Sequence, residues 1–147
     1  MRFDNPNVYR VVLDTNVFVS GATISVGAPF QIINHWRGQD FVMVAFLQLI
    51  AEYKEVLSRP NVMKYTGLTS QENTWYMQEV KDRAYMTSGV LKLNVLTNDL
   101  DDNMILACAE EGIATHLVTG NTKDFPFKEY KGIQIVTPKE FLDILKE

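Results

Sequence analysis

Short apolar runs, too brief for helices and each closed by polar or turn-forming residues, alternate along this chain with stretches of helical periodicity. The runs fall at residues 8–13, 40–45, 90–96, 116–119 and 132–136. Strands separated by helices pair in parallel, because a helical crossover brings the chain back to the end of the sheet from which it started. The expectation is an α/β fold: an α/β/α sandwich around a central, mostly parallel twisted sheet of four to five strands. A chain of 147 residues, 46% hydrophobic and 22% charged, suits one such domain over 1–147, with residues 1–7 as a loose N-terminal tail.

The helical stretches carry their own punctuation. Residues 21–27 read as a small-residue loop, after which Pro29 suits a first helical turn. Phe30, Ile33 and Trp36 then follow at helical spacing until Gly38. A helix is expected from Phe46 to about Ser58, stopped by Arg59-Pro60, since proline drives the preceding residue out of helical geometry. Thr69-Ser70-Gln71-Glu72 is a capping box that opens a helix to about Thr87, and Thr137-Pro138-Lys139-Glu140 opens the last one. Between them the acidic segment at 99–102 starts a helix that Gly112 can end.

The longest apolar run, Phe41 to Leu47, is far too short to span a bilayer, and Met1 to Pro6 lacks an apolar signal core, so a cytoplasmic protein without membrane attachment is expected. Cys108 is the only cysteine, which excludes an intrachain disulfide and a multi-cysteine zinc site. With Ala107 and Ala109 beside it, Cys108 reads as a small buried packing residue. His35 and His116 read as structural. A net charge of −4 with dispersed lysines and arginines argues against a polybasic nucleic-acid binder. It does not exclude local phosphate contacts, because carboxylates gathered around a cation account for several of the negatives.

Chemistry concentrates at Asp14. The strand ending in Val11-Val12-Leu13 delivers this carboxylate to its own C-terminal tip, where ligands bind in open α/β sheets, although a lone acid there can equally cap the following helix. Three later stations can meet it. With about 3.6 residues per turn, Glu52 flanks the apolar stripe of Leu49, Ile50, Tyr53 and Val56, whereas Glu55 lies nearly opposite and faces water. Asp102 shares the inward face of Ile105, Cys108 and Ala109, and one of Asp99, Asp101 and Asp102 is expected to cap the helix. Three acids within four residues repel one another and exceed what capping needs, which favours a cation. Asp99, Asp101, Asn103 and Glu110 imitate a calcium loop, but Met104 stands where glycine is needed and Ile105 to Glu110 reads as helix. The third station is Asn121, after Gly120: its amide can offer an oxygen or simply form a turn, and Asp124 is near enough to reach the same place.

Taken in order, Leu13-Asp14-Thr15-Asn16-Val17-Phe18-Val19-Ser20, Glu52 to Pro60, Asp99-Leu100-Asp101-Asp102-Asn103 and Leu117-Val118-Thr119-Gly120-Asn121 resemble a PIN domain over nearly the whole chain. More narrowly the chain is similar to the toxin components of toxin-antitoxin systems, relatives of the VapC ribonucleases. The resemblance implies an endoribonuclease dependent on Mg²⁺ or Mn²⁺, with Asp14, Glu52 and Asp102 as catalytic residues and Asp14, Asp102 and Asp99 around the metal. Thr15, Asn16, Thr119, Asn121 and Asp124 would support the site or orient substrate. The family's fourth acid falls on Asn121, a departure that leaves one metal or two open; Ala45 is another, standing near a position where relatives often carry serine. The implied partners are RNA, a cognate antitoxin protein and a second copy of the chain as a homodimer.

Arg59, Lys64 and Lys123 are the candidate RNA contacts. Trp75, Tyr76 and Tyr85 can stack on bases or pack the helical arm that carries them. Two other classes stand beside the nuclease: a PIN-like module that has lost turnover and binds RNA or protein, favoured by Asn121, and a phosphatase using Asp14 as nucleophile. The second is weakened by Asn16, where that chemistry wants another aspartate.

Overall fold

In the computed structural model, which describes residues 8–95 and 100–147, six strands form one sheet. They are β1 (Arg10–Leu13), β2 (Val42–Ala45), β3 (Tyr85–Met86), β4 (His116–Val118), β5 (Glu129–Tyr130) and β6 (Ile133–Val136). Their order across the sheet is β3-β2-β1-β4-β6-β5, and every pairing is parallel except the β5–β6 hairpin. Val11, Val12 and Leu13 are fully buried, as expected of a central strand covered on both faces.

Seven helices surround the sheet among the described residues: α1 (Thr15–Thr23), α2 (Ala28–Arg37), α3 (Leu47–Leu57), α4 (Pro60–Thr66), α5 (Ser70–Arg83), α6 (Leu100–Glu111) and α7 (Pro138–Leu145). The chain runs from β1 outward to β2 and β3, then returns past β1 to β4. Right-handed crossovers therefore put α6 on the face opposite the earlier helices. The packing agrees, since α6 lies directly on β1, β2 and β4, while α1 packs on α2 and α3, α2 on α7, and α3 on α5. The expected sandwich is the observed one.

Both capping boxes form, with Thr69 accepting from the Glu72 amide and Thr137 from the Glu140 amide, each at 3.1 Å. Four local expectations change. Residues 21–23 belong to α1 rather than to a loop, and Gly21 is where α2 crosses it: a Cβ there would lie 2.5 Å from the Pro29 carbonyl oxygen. Pro60 ends α3 and also opens α4 as its first residue. Helix α5 stops at Arg83 rather than near Thr87, because Tyr85 and Met86 pair with Val44 and Ala45 as the sheet's edge. Residues 90–95 form no strand. Their place on the sheet edge is taken by β3, which together with β5 brings the strands to six.

The segment after β3 is held chiefly by one carboxylate, with Gln48 donating to the Gly89 carbonyl at 3.2 Å and Asn103 accepting from the Val95 amide at 3.1 Å. Glu111, at the end of α6, accepts from the amides of Gly89 at 2.6 Å, Val90 at 3.1 Å and Leu91 at 3.0 Å, and from the Ser88 hydroxyl at 3.0 Å. A negative charge at a helix C-terminus opposes the helix dipole, and these donors offset that cost. The nearby Thr87 hydroxyl, then the Leu91 and Gly89 amides and the Ser88 hydroxyl, in that order of effect, lower its pKa to about 2. Because the folded pKa lies below the unfolded one, Glu111 stabilises the fold fully above about pH 4.5 and loses that contribution as pH falls toward 2. Urea denaturation followed against pH should show a steeper acid loss of stability for the parent than for Glu111→Gln; identical acid limbs would show that the carboxylate's charge is not what pins residues 88–91.

Candidate active site

The sheet changes direction of winding between β1 and β4, the switch point at which α/β proteins open a crevice at the strands' C-terminal ends. In the parallel register Leu13 lies beside Val118, so the chain leaves both strands side by side. Asp14 caps the backbone start of α1 but makes no side-chain capping bond; its Oδ2 instead accepts from the Thr119 hydroxyl at 2.8 Å. Thr119 is buried, and its oxygen also accepts from the Asn121 amide at 3.2 Å, fixing the turn beyond β4. Helix capping thus fails to explain Asp14.

The other carboxylates arrive from two helices. Helix α3 places Glu52 half-buried, while Glu55 is exposed and clasps Arg59 through both its oxygens at 3.2 and 3.0 Å. Tyr53, adjacent to Glu52, is wholly buried, stacks on Phe18 with centroids 4.2 Å apart, and donates its phenol hydrogen to the Leu13 carbonyl. That bond ties α3 to the tip of β1, and hence Glu52 to the neighbourhood of Asp14. In the sequence Tyr53 reads only as part of an apolar stripe. On α6, Asp102 is 8% exposed and Asp101 faces outward, so the helical angle separated them correctly. Asp101 nevertheless lines the same cleft, a role that its outward angle concealed.

Asp14, Glu52, Asp101, Asp102 and Asp124 line one cleft of about 440 Å³, with Thr15, Asn16 and Asn121 at its walls. Asp124 is held there by the Asn121 side-chain amide at 2.9 Å, and Asn121 is not in the left-handed conformation of a simple Asn turn (φ −131°). Asp99 lies outside the described residues. No lysine, arginine or histidine is among the described residues lining the cleft. Burial raises the pKa of Glu52; the Thr15 hydroxyl works against the rise, and the charges of Asp101, Asp14 and Glu55 add to it. Among the described residues no three of His, Cys, Asp and Glu stand close enough together to hold an ion, so these side chains share a cleft without converging on a single point. An oxygen-only, acid-only donor set without a compensating base fits a hard divalent cation and no soft metal.

The remaining candidates fall elsewhere. Arg59 is engaged by Glu55, Lys64 is exposed on α4, and Lys123 sits in the 3₁₀ turn Thr122–Asp124 whose neighbours line the cleft. Tyr76 packs edge-on against Phe18 and lies under Arg37, and Tyr85 lies under Arg10, so both serve packing; Trp75 is exposed. His116 packs between Tyr9 and Phe141, and its burial lowers its pKa. Cys108 is buried, which pushes its thiol pKa up, and the continuous helix through residues 105–110 excludes a calcium loop. Compared with known protein families, residues 10–123 match the sequence profile of the PIN domain. No curated protein matches the chain.

Gathering like charges costs stability, and relieving that repulsion at a functional site commonly adds about 0.5–2 kcal/mol. In urea denaturation with EDTA, Asp14→Asn should be more stable than the parent, because the amide oxygen still accepts from Thr119 while the charge is gone. Millimolar Mg²⁺ or Mn²⁺ should reverse the order by stabilising the parent alone.

Proposed function

This chain belongs to the PIN domain family, whose members are generally nucleases and typically depend on a divalent metal, and we propose that it is a metal-dependent endoribonuclease. The observation that carries the reading is the cleft itself: carboxylates from β1, α3, α6 and the turn after β4 face one volume at the switch point, with no base among the described lining residues. Asp14 and Asp102, with Asp99 as a further ligand, would hold Mg²⁺ or Mn²⁺. Such an ion, when bound, makes water a better nucleophile at neutral pH and offsets charge on the phosphate. Glu52, which lines the cleft with Asp14 and Asp102, would take a proton from the attacking water. Thr119 fixes the rotamer of Asp14, and Thr15 lines the same cleft as Glu52. Where the family usually has an acid, Asn121 instead holds Asp124 at the rim, so Asp124 supplies the carboxylate that position 121 lacks.

The order of the motifs further supports a toxin of a toxin-antitoxin pair, acting on RNA in the cytoplasm, with an antitoxin protein as partner and a homodimer as the working assembly. No helix among the described residues is long and apolar enough to cross a membrane. The second reading, a catalytically impaired module that binds RNA or protein, draws on Asn121; the presence of Asp124 in the cleft weighs against it.

Cleavage of single-stranded RNA by the purified protein should require Mg²⁺ or Mn²⁺ and disappear with EDTA. Thr119→Val, which removes the bond to Asp14 together with the one from the Asn121 amide, should lower the rate about 10- to 100-fold, the usual cost of losing a ligand's support, and Asp14→Asn should lower it further. Undiminished cleavage by Asp14→Asn would end the assignment; binding without any cleavage by the parent would favour the impaired module.

A further inference from the structure

Beside the carboxylate cleft lies a second depression of about 320 Å³, and the turn after β4 is the wall between them. Asn121 and Asp124 face the cleft, whereas Thr122 and Lys123 line the groove. Phe125, Phe127 and Ile135 make its floor, and Lys123 and Lys128 stand at its rim. Phe127 is only half-buried and stacks on Tyr130, with centroids 5.3 Å apart and rings inclined by 28°. The Ile135 amide donates to the Lys128 carbonyl at 2.9 Å, which anchors this rim to the β5–β6 hairpin.

The chemistry of this groove is the reverse of the cleft's. No acid is among the described residues lining it, and neither lysine forms a salt bridge among the described residues. Glu140, the acid whose field reaches Lys128, is already held by the Thr137 capping box. A floor with aromatic faces and a cationic rim suits unpaired bases and their phosphates, because stacking tolerates any base and ammonium groups neutralise the backbone. Of the three basic residues nominated from sequence, Arg59 is occupied by Glu55 and Lys64 does not line this groove; Lys123 does, and Lys128 joins it.

We infer that this groove is a binding track for single-stranded RNA, holding a base against Phe127 and the adjoining phosphates at Lys123 and Lys128 while the next part of the strand enters the carboxylate cleft. The inference rests on the nuclease reading for the identity of the strand, but binding can be measured without turnover. A short fluorescein-labelled single-stranded RNA, followed by anisotropy with Ca²⁺ in place of Mg²⁺, reports on it directly. Lys123→Ala and Lys128→Ala should each weaken binding and reduce the slope of log affinity against log salt by about 0.7, as for one lost phosphate contact. Phe127→Leu should weaken binding about tenfold with the salt slope unchanged, since stacking releases no counterion. Thermal melts identify any variant that has lost its fold, and Lys128→Ala, an exposed substitution, keeps the test open if Phe127→Leu does not fold. Parental affinity and salt slope in the folded variants would overturn the track and leave the groove to a protein partner. Failure of the parent to bind RNA would overturn it too. Binding that depends on Lys128 in a protein that never cleaves would uphold the track and sink only the nuclease reading, whereas metal-dependent cleavage with an unchanged KM in Lys128→Ala would do the opposite.

Discussion

The register between β1 and β4 is the constraint on which the rest of the site depends. Because Leu13 lies beside Val118 in a parallel pair, Asp14 and Thr119 emerge as neighbours, and one hydroxyl-to-carboxylate bond joins two segments 105 residues apart in the chain. Slipping that pairing by one residue would exchange the two buried faces of β1 and carry Asp14 away from Thr119; because Val11, Val12 and Leu13 are packed on both faces, the close fit of unlike neighbours on each side holds the register. The position of Asp14 is thus a consequence of core packing as well as of chemistry. Tyr53 extends the same logic to the next element, since its phenol seeks the Leu13 carbonyl and carries Glu52 along.

Electrostatics divides the surface around this point into two regions of opposite character. Acids line the cleft, and the bases nearest to them are directed away: Arg59 is taken by Glu55, and Lys123 turns to the neighbouring groove. A negative net charge therefore says little about nucleic-acid affinity here. The acids belong to a site that wants a cation, and the phosphate contacts need only a few well-placed lysines.

Helix α6 serves both ends of this arrangement. Its first turn supplies Asp101 and Asp102 to the cleft, while Glu111 at its last residue gathers the amides of residues 89–91. Small side chains such as Cys108 and Ala109 let the helix lie close on the sheet, so the acidic turn and the pinned segment are held by one rigid body.

The sequence by itself determined the alternation of strands and helices, both capping boxes, and the ranking of Glu52 over Glu55 and Asp102 over Asp101 by burial. Each of these is a matter of local periodicity or of a turn's own hydrogen bonds. It could not place β3, since two residues pair with a sheet edge only when β2 is already there, nor exclude a strand at 90–95, where the Val90 and Leu91 amides are claimed by Glu111 some 20 residues away and the Val95 amide by Asn103. It gave Tyr53 no role beyond packing, and it gave no reason to link Lys128 and Phe127 with Lys123. Tertiary structure decided those matters because they depend on distances between segments remote in the chain: which strands are adjacent, which carbonyl a buried phenol can reach, and which side of a turn each residue faces.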